Sequence, residues 1–115
     1  YLITGWEGRF RETDANDFLA MINTWQNGDI SNNPLYDGDF EAALGSIKAK
    51  AIVMPSHTDQ YFPPEDNEIE VSHMPNAELR VIPSIWGHLA GGPGRNPVDT
   101  QFIDDALKEL LASGT

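Results

Sequence analysis

The sequence predicts an α/β fold in which, from residue 51 onward, two parallel strands alternate with two helices. The first strand is predicted over residues 51–54, a continuous apolar run with β-branched residues at its centre that is closed by Pro55. Such a run is typical of a strand that is buried on both faces of a parallel sheet. The second strand is predicted over residues 79–82. A loop and then a helical segment follow each strand, which is the βαβα order of an α/β protein.

The two helices of this half are predicted from their start and stop signals. The first begins at the paired prolines 63–64 and ends near His73, since proline is favourable in the first turn of a helix. The final helix follows an N-cap at Asn96, has Pro97 at its first position and ends at residues 113–114. Its apolar residues recur in pairs four apart: Phe102, Ile103, Ala106, Leu107, Leu110 and Leu111.

Helices are also predicted in the first part of the chain. Apolar residues in the first ten positions recur at near-helical spacing. A second helix follows an N-cap at Asp14 and carries one broad apolar stripe made of Phe18, Leu19, Met21, Ile22 and Trp25. A short third helix is predicted over residues 40–47. We therefore expect a helical segment over residues 1–47 and the βαβα part over residues 48–115.

Composition and charge exclude several classes of function. The net charge of −11 would repel phosphate backbones and anionic lipid, so neither nucleic acid nor a membrane surface is expected as a partner. The absence of cysteine excludes disulfides and a thiol nucleophile. No apolar run approaches the roughly 20 residues that span a bilayer, and no signal pattern is present at the start. We expect a soluble, cytoplasmic protein that acts on a small molecule.

Two residues that follow the predicted strands carry the chemistry. Asp59 comes after the first strand, and His88 follows the second on the glycine-rich turn of residues 83–94. Because the carboxyl ends of parallel strands meet at one edge of the sheet, we expect these side chains to lie close together. A carboxylate that accepts the imidazole Nδ1 proton lets Nε2 take a proton from a hydroxyl. The order Asp then His is that of the last two members of a Ser-Asp-His triad.

Alternatives to this interpretation stay open on the sequence alone. Asp59 taken singly is a loop cap or a surface acid, and His88 a solvated loop histidine. His57 is a rival base, whereas His73 suits a surface position near a helix C-terminus. No H-x-x-x-H or H-E-x-x-H spacing occurs, so no metal site is predicted. Residues 91–94 lack the Gly-Lys-Ser/Thr ending of a phosphate loop, and no cofactor is predicted.

The nucleophile of such a triad is missing from the sequence. Ser31, Ser46 and Ser56 lie upstream of Asp59, and none of them stands in a G-x-S-x-G motif. The earlier strand and helix that supply the oxyanion-hole amides are missing as well. We therefore expect the chain to be inactive alone and to pack against a missing N-terminal half, because two parallel strands cannot form a sheet covered on both faces. The first residue, Tyr1, falls inside a helical pattern, which agrees with a piece of a longer polypeptide.

Five separate stretches resemble one family. These are Asp14-Ala15-Asn16-Asp17-Phe18-Leu19, residues 24–31, residues 42–50, Thr58 to Glu65 with its Asp-Gln-Tyr-Phe-Pro-Pro core, and Trp86-Gly87-His88. In this order they resemble the homoserine O-acetyltransferase-like branch of the α/β-hydrolases. The likeness covers nearly the whole chain but maps to the C-terminal part of the family fold: lid helices, then two parallel strands that alternate with two helices.

The resemblance implies a serine acyltransferase. Asp59 and His88 would be the triad acid and base, and residues 1–47 would form a lid that also makes homodimer contacts. Members of this family move an acetyl or succinyl group from acyl-CoA, the expected co-substrate, to a hydroxyl acceptor without a metal. Residues 89–94 depart from the family pattern, which has an acid and then bulky side chains there. An esterase fragment and a non-catalytic interaction module are therefore the alternatives.

Overall fold

A computed structural model describes residues 2–92 and 96–114. A π-helical segment, Leu2–Glu7, continues directly into the first α-helix. The remaining elements follow the predicted order, with the histidine turn forming a short 3-10 helix, Gly87–Leu89, before the final helix. The α-helices and strands are α1 (Gly8–Arg11), α2 (Ala15–Gln26), α3 (Phe40–Gly45), β1 (Ala51–Val53), α4 (Pro64–His73), β2 (Ala77–Leu79) and α5 (Pro97–Ala112). Part of the glycine-rich stretch 91–94 lies outside the described residues.

Capping side chains start three of the helices, and two of these caps, Asp14 and Asn96, were predicted. The carboxylate of Asp14 accepts a hydrogen bond from the backbone N–H of Asn16 at 2.7 Å, and that of Asp39 accepts one from Ala42 at 2.9 Å. The side chain of Asn96 accepts the N–H of Val98 at 3.0 Å. Each bond satisfies a backbone donor that has no partner within its helix. The predicted caps at Asp14 and Asn96 are therefore confirmed.

The two strands are parallel, and their register sets where the following loops begin. Ala51 pairs with Ala77 and Val53 with Leu79. Beyond these strands the only further pairing among the described residues is a single bridge between Ser56 and Ile82. The loops after the two strands therefore leave the sheet side by side.

The bounds predicted for the second strand are wrong. It runs over Ala77–Leu79, rather than residues 79–82. The ladder is interrupted at Pro55, which has no N–H to donate, although its carbonyl accepts the N–H of Ile82 at 2.8 Å. Pairing resumes for one step only, where the N–H of His57 donates to the carbonyl of Ile82 at 3.0 Å.

The final helix is tied to the sheet by packing and by an ion pair. Ala106 on α5 is 1% exposed, and the helix contacts β1. The Arg80 guanidinium, just after β2, donates to both carboxylate oxygens of Glu109 at 2.7 and 3.0 Å. This two-point geometry is stronger and more directional than a single contact. The helix that follows the histidine turn is thereby held against the sheet.

Much of the apolar surface of this chain is open. Four apolar residues are buried among those that the structure describes: Ala43, Leu44, Ile82 and Ala106. Large side chains remain exposed on α2 and α5, among them Leu19, Met21, Val98 and Leu111. A two-stranded parallel sheet cannot cover both of its faces, and large exposed apolar patches are typical of surfaces that contact other protein. None of the described helices is both long enough and apolar enough to cross a membrane. The division of the chain at residue 47 stays a prediction.

One glycine in the connection from the histidine turn to α5 is required by its surroundings. Gly91 has a φ of +71°, in the left-handed region, and a Cβ at this position would lie 2.2 Å from Cδ1 of Ile103. Both the backbone conformation and the close approach of Ile103 therefore favour glycine.

We expect Gly91→Ala to destabilise the protein more than Gly38→Ala. Gly38 also has a positive φ, +86°, but nothing lies within 4 Å of its Cβ position. The control variant, Gly38→Ala, should lose about 1–2 kcal/mol of unfolding free energy from backbone strain alone. Gly91→Ala should lose roughly a further 1 kcal/mol because the terminal methyl of Ile103 must move. Urea unfolding would measure both, and equal losses would show that Ile103 moves without cost.

Candidate active site

The two oxygens of the Asp59 carboxylate have different partners. Asp59 follows β1 and is 6% exposed. Its Oδ1 accepts hydrogen bonds from the backbone N–H groups of Tyr61 at 2.8 Å and Phe62 at 3.3 Å. Its Oδ2 lies 3.1 Å from Nδ1 of His88. Asp59 is thus a loop cap, as one alternative expected, and it faces the histidine as well.

The structure brings together the two residues that the sequence predicts as a pair. The backbone N–H of Leu89 donates to the carbonyl of Trp86 at 3.1 Å and so closes the turn that carries His88. The imidazole packs against the rings of Tyr61 and Phe62, with centroids 4.8 and 5.4 Å away. Because Nδ1 faces Asp59, Nε2 points away from the carboxylate. The side chain of His88 is 49% exposed, so a reacting group can reach it.

The environment of Asp59 keeps its carboxylate ionised. Burial alone would raise the pKa of this group, but the N–H of Tyr61, the imidazole of His88 and the N–H of Phe62 outweigh it. The pKa of Asp59 is therefore below its ordinary value. Hydrogen bonds to a carboxylate favour its charged form because they are strongest when the oxygens carry the negative charge. Asp59 is thus suited to accept a hydrogen bond from the Nδ1–H of an imidazole.

A cavity of about 680 Å³ opens beside His88. Helical segments from the start of the chain form one side, and the aspartate loop and histidine turn form the other. The rings of Trp25 and Phe62 meet across it, with centroids 6.1 Å apart. The Arg9 guanidinium lies 5.9 Å from the ring centre of Trp6. We call this space the aromatic cleft, and its lining residues are Trp6, Arg9, Trp25, Tyr61, Phe62, His88 and Leu89.

The other histidines lie apart from this pair. His57 is exposed, and its backbone N–H donates to the backbone carbonyl of Ile82 beside the sheet. His73 ends α4, and its Nδ1 is 3.8 Å from a carboxylate oxygen of Glu41. Within residues 2–92 and 96–114, no group of three or more His, Cys, Asp or Glu side chains has the arrangement of a metal site.

The serines upstream of Asp59 have other roles. Ser31 donates to Oδ1 of Asp29 at 2.6 Å, and Ser46 donates to the carbonyl of Ala43 at 2.7 Å. The Oγ of Ser56 is buried and has no hydrogen-bond partner in the described part of the chain. The only hydrogen bond that the imidazole of His88 makes to a described side chain is the one to Asp59.

Three residues near the pair were missed by the sequence analysis. Thr58 bonds to the histidine turn, while Ser84 and Asp99 bond to each other behind it. Thr58 directly precedes Asp59, and that position could have drawn attention to it. Ser84 and Asp99 lie 15 positions apart and meet only when α5 packs on the sheet, so no local pattern indicates their contact.

The chain is similar to proteins described as ester hydrolases. It is 44% identical over 107 residues to the ethyl acetate hydrolase of Pseudomonas veronii, covering 90% of this chain and 29% of that protein. The structure of the acetyl esterase MekB matches 96% of this chain and 32% of its own, with 40% identity and a TM-score of 0.84. An acetylester hydrolase from Corynebacterium glutamicum matches 85% of this chain and 27% of its own, with 43% identity and a TM-score of 0.75.

Homoserine O-acetyltransferases are similar at lower identity. That of Chloroherpeton thalassium is 30% identical over 96% of this chain and 26% of its own length. No protein-family model matches the chain. The chain spans less than a third of the length of each of these relatives. Because both groups align along most of it, the chain belongs to the homoserine O-acetyltransferase-like branch of the α/β-hydrolase superfamily and corresponds to the C-terminal part of that fold.

Proposed function

We propose that this chain is the C-terminal part of a serine esterase that hydrolyses small apolar esters. The observation that carries the proposal is the contact of Asp59 Oδ2 with His88 Nδ1 at 3.1 Å, at the edge of the aromatic cleft. The choice of an esterase is supported by the 40–44% identity to ester hydrolases, against 30% to an acetyltransferase. The hydrolase thus replaces the acyl-CoA transferase as the favoured interpretation.

The proposed mechanism uses the two ring nitrogens of His88 separately. Asp59 accepts a hydrogen bond from Nδ1–H and so holds the tautomer in which Nε2 is free. Nε2 then takes the proton of a serine hydroxyl supplied by another part of the protein, and the serine oxygen attacks the ester carbonyl. The proton passes to the leaving alcohol. Water next attacks the acyl-serine while Nε2 takes one of its protons, and Nε2 returns that proton to the serine oxygen as the carboxylic acid leaves.

The aromatic cleft supports an apolar substrate. Since His88 must give its proton to the leaving alkoxide, the alcohol part of the ester lies within hydrogen-bonding reach of Nε2. The lining side chains beside this ring are mostly aromatic, among them Trp25, Tyr61 and Phe62. Such a surface favours an alkyl group over a charged one. Small acetyl esters of apolar alcohols are therefore the proposed substrates.

The helical segment over residues 1–47 is proposed as a lid. Trp6, Arg9 and Trp25 lie on this segment and line the cleft that His88 faces. A segment placed there can cover the substrate. The exposed apolar residues of α2, Leu19 and Met21, support the further proposal that these helices make homodimer contacts.

We expect His88→Ala in the full-length protein to lower kcat/KM for ethyl acetate by at least about 10⁴-fold, because the base of the triad is lost. His57→Ala removes an exposed imidazole and should keep most of the activity. The 115-residue chain alone should be inactive. Steady-state acetate release would measure all three. A large loss of activity in the His57 variant alone would show that His57, and not His88, is the base.

We expect Asp59→Asn to lower kcat by roughly 10⁴-fold, because an amide cannot hold the required tautomer. Since the pKa of Asp59 is below its ordinary value, the wild-type carboxylate stays ionised above pH about 4. The side-chain carboxyl ¹³C resonance of wild-type Asp59 should therefore stay at the shift of an ionised carboxylate between about pH 5 and 8. Asp66→Asn, at an exposed position of α4, is the matched control. A change of this resonance to the shift of a protonated carboxyl within that range would mean that Asp59 takes up a proton there.

Hydrolase and transferase are separated by the effect of an acceptor. The esterase should release acetate from ethyl acetate at a rate that added homoserine does not change, because water is the acceptor of the acyl group. It should form no acetylhomoserine from acetyl-CoA. Acetylhomoserine formation with suppressed hydrolysis would support the transferase instead. If neither reaction occurs in the full-length protein, the non-catalytic module becomes the correct interpretation.

A further inference from the structure

A set of buried polar side chains lies behind the turn that carries His88. Ser84 and Asp99 are 4% and 3% exposed. The hydroxyl of Ser84 donates to Oδ2 of Asp99 at 2.7 Å, and the backbone N–H of Trp86 donates to the same hydroxyl at 3.2 Å. The Ser84 hydroxyl therefore links Asp99, on α5, to the histidine turn by two hydrogen bonds.

Thr58 joins this set to the aspartate loop. Its hydroxyl donates to the carbonyl of Ser84 at 3.0 Å and accepts the N–H of Gly87 at 3.0 Å. Gly87 has a φ of +54°, and a Cβ there would lie 3.2 Å from the carbonyl oxygen of Thr58. The peptide groups immediately before His88 are thus held by Thr58 and Ser84, and Thr58 is also the direct neighbour of Asp59.

The location of Asp99 makes this arrangement costly to disturb. A carboxylate in the first turn of a helix is stabilised by the unsatisfied N–H groups there, and the Ser84 hydroxyl gives it a further partner. Removing one member of a buried hydrogen-bonded set leaves the other polar groups without partners. This destabilises the protein by more than the free energy that the lost hydrogen bond contributed. The set therefore favours one conformation of the turn over its alternatives.

The imidazole depends on this support because its own contacts are few. Its side chain is 49% exposed, and it is held by one hydrogen bond to Asp59 and by two neighbouring rings. Exposed side chains change rotamer readily. The direction of the ring is therefore set largely by the backbone to which it is attached.

We propose that Thr58, Ser84 and Asp99 are positioning residues, which hold the His88 turn so that Nδ1 stays within hydrogen-bonding distance of Asp59. This inference rests on the proposed catalytic role of the Asp59–His88 pair. None of the three residues lines the aromatic cleft, so they act on the rate through His88 and leave substrate binding alone. Thr58 is central, because it bonds to the turn and is covalently joined to Asp59.

The test is a matched series at Thr58 in the full-length protein. Thr58→Val keeps the shape but loses both hydrogen bonds, and it should lower kcat for ethyl acetate by about 10- to 100-fold, the effect of a displacement of roughly 1 Å at a catalytic group. KM should change by no more than about 3-fold. Thr58→Ser keeps the hydroxyl and should restore kcat to within about 3-fold.

Thr100→Val is the control for the chemical change itself. Thr100 is exposed on α5, and its hydroxyl donates to the carbonyl of Asn96 at 2.9 Å, away from the histidine turn. The Thr100→Val substitution should leave kcat and KM unchanged. A Thr58→Val protein that folds and keeps wild-type kcat would overturn the proposal, as would a rise in KM with kcat unchanged.

A second variant keeps the proposal testable if Thr58→Val does not fold. Ser84→Ala removes the link from Asp99 to the turn and should also lower kcat at constant KM. The downfield proton resonance of His88 Nδ1–H, hydrogen-bonded to Asp59, should weaken in both variants. If instead His88→Ala leaves activity intact, the proposed function itself fails. If only His88→Ala reduces activity and the resonance is unchanged, the positioning role alone is wrong.

Discussion

The arrangement of the site depends on how one buried carboxylate shares its two oxygens. Oδ1 of Asp59 binds the N–H groups of Tyr61 and Phe62, which shapes the loop after β1. Oδ2 is left to face His88. Because the first oxygen fixes the direction of the second, the histidine meets a carboxylate that is already oriented. The same loop brings the rings of Tyr61 and Phe62 against the imidazole, so one residue connects the loop, the histidine and the wall of the cleft.

This sharing is possible because the sheet brings two loops to the same edge. The parallel register of β1 and β2, extended by the bridge between Ser56 and Ile82, places residues 57–59 beside residues 83–88. Hydrogen bonds across that short gap then join Thr58 to Gly87 and to Ser84. Two short strands thus suffice to place Asp59 beside His88, although they leave many large apolar side chains exposed.

The alternation of elements and the pairing of Asp59 with His88 were predictable from the sequence, since strand runs, proline signals and caps are local patterns. The bounds of the second strand were not predictable. Pairing is interrupted at Pro55 on the neighbouring strand, and the sequence of residues 79–82 itself contains no signal of that interruption. The two roles of Asp59 were treated as alternatives, whereas a carboxylate with two oxygens fills both. The contact of Ser84 with Asp99 depends on how α5 docks, which a one-dimensional pattern does not contain.

The residues that line the aromatic cleft and those that hold the histidine turn form two sets with no member in common. Trp6, Trp25 and Phe62 come from helices and a loop that line the cleft, while Ser84 and Asp99 lie behind the turn. Under the proposed function, changes at Trp6 or Trp25 alter which ester is accepted without displacing the base, whereas Phe62 also packs against His88. The side chains of the cleft can thus vary while the hydrogen bonds behind the histidine turn stay the same.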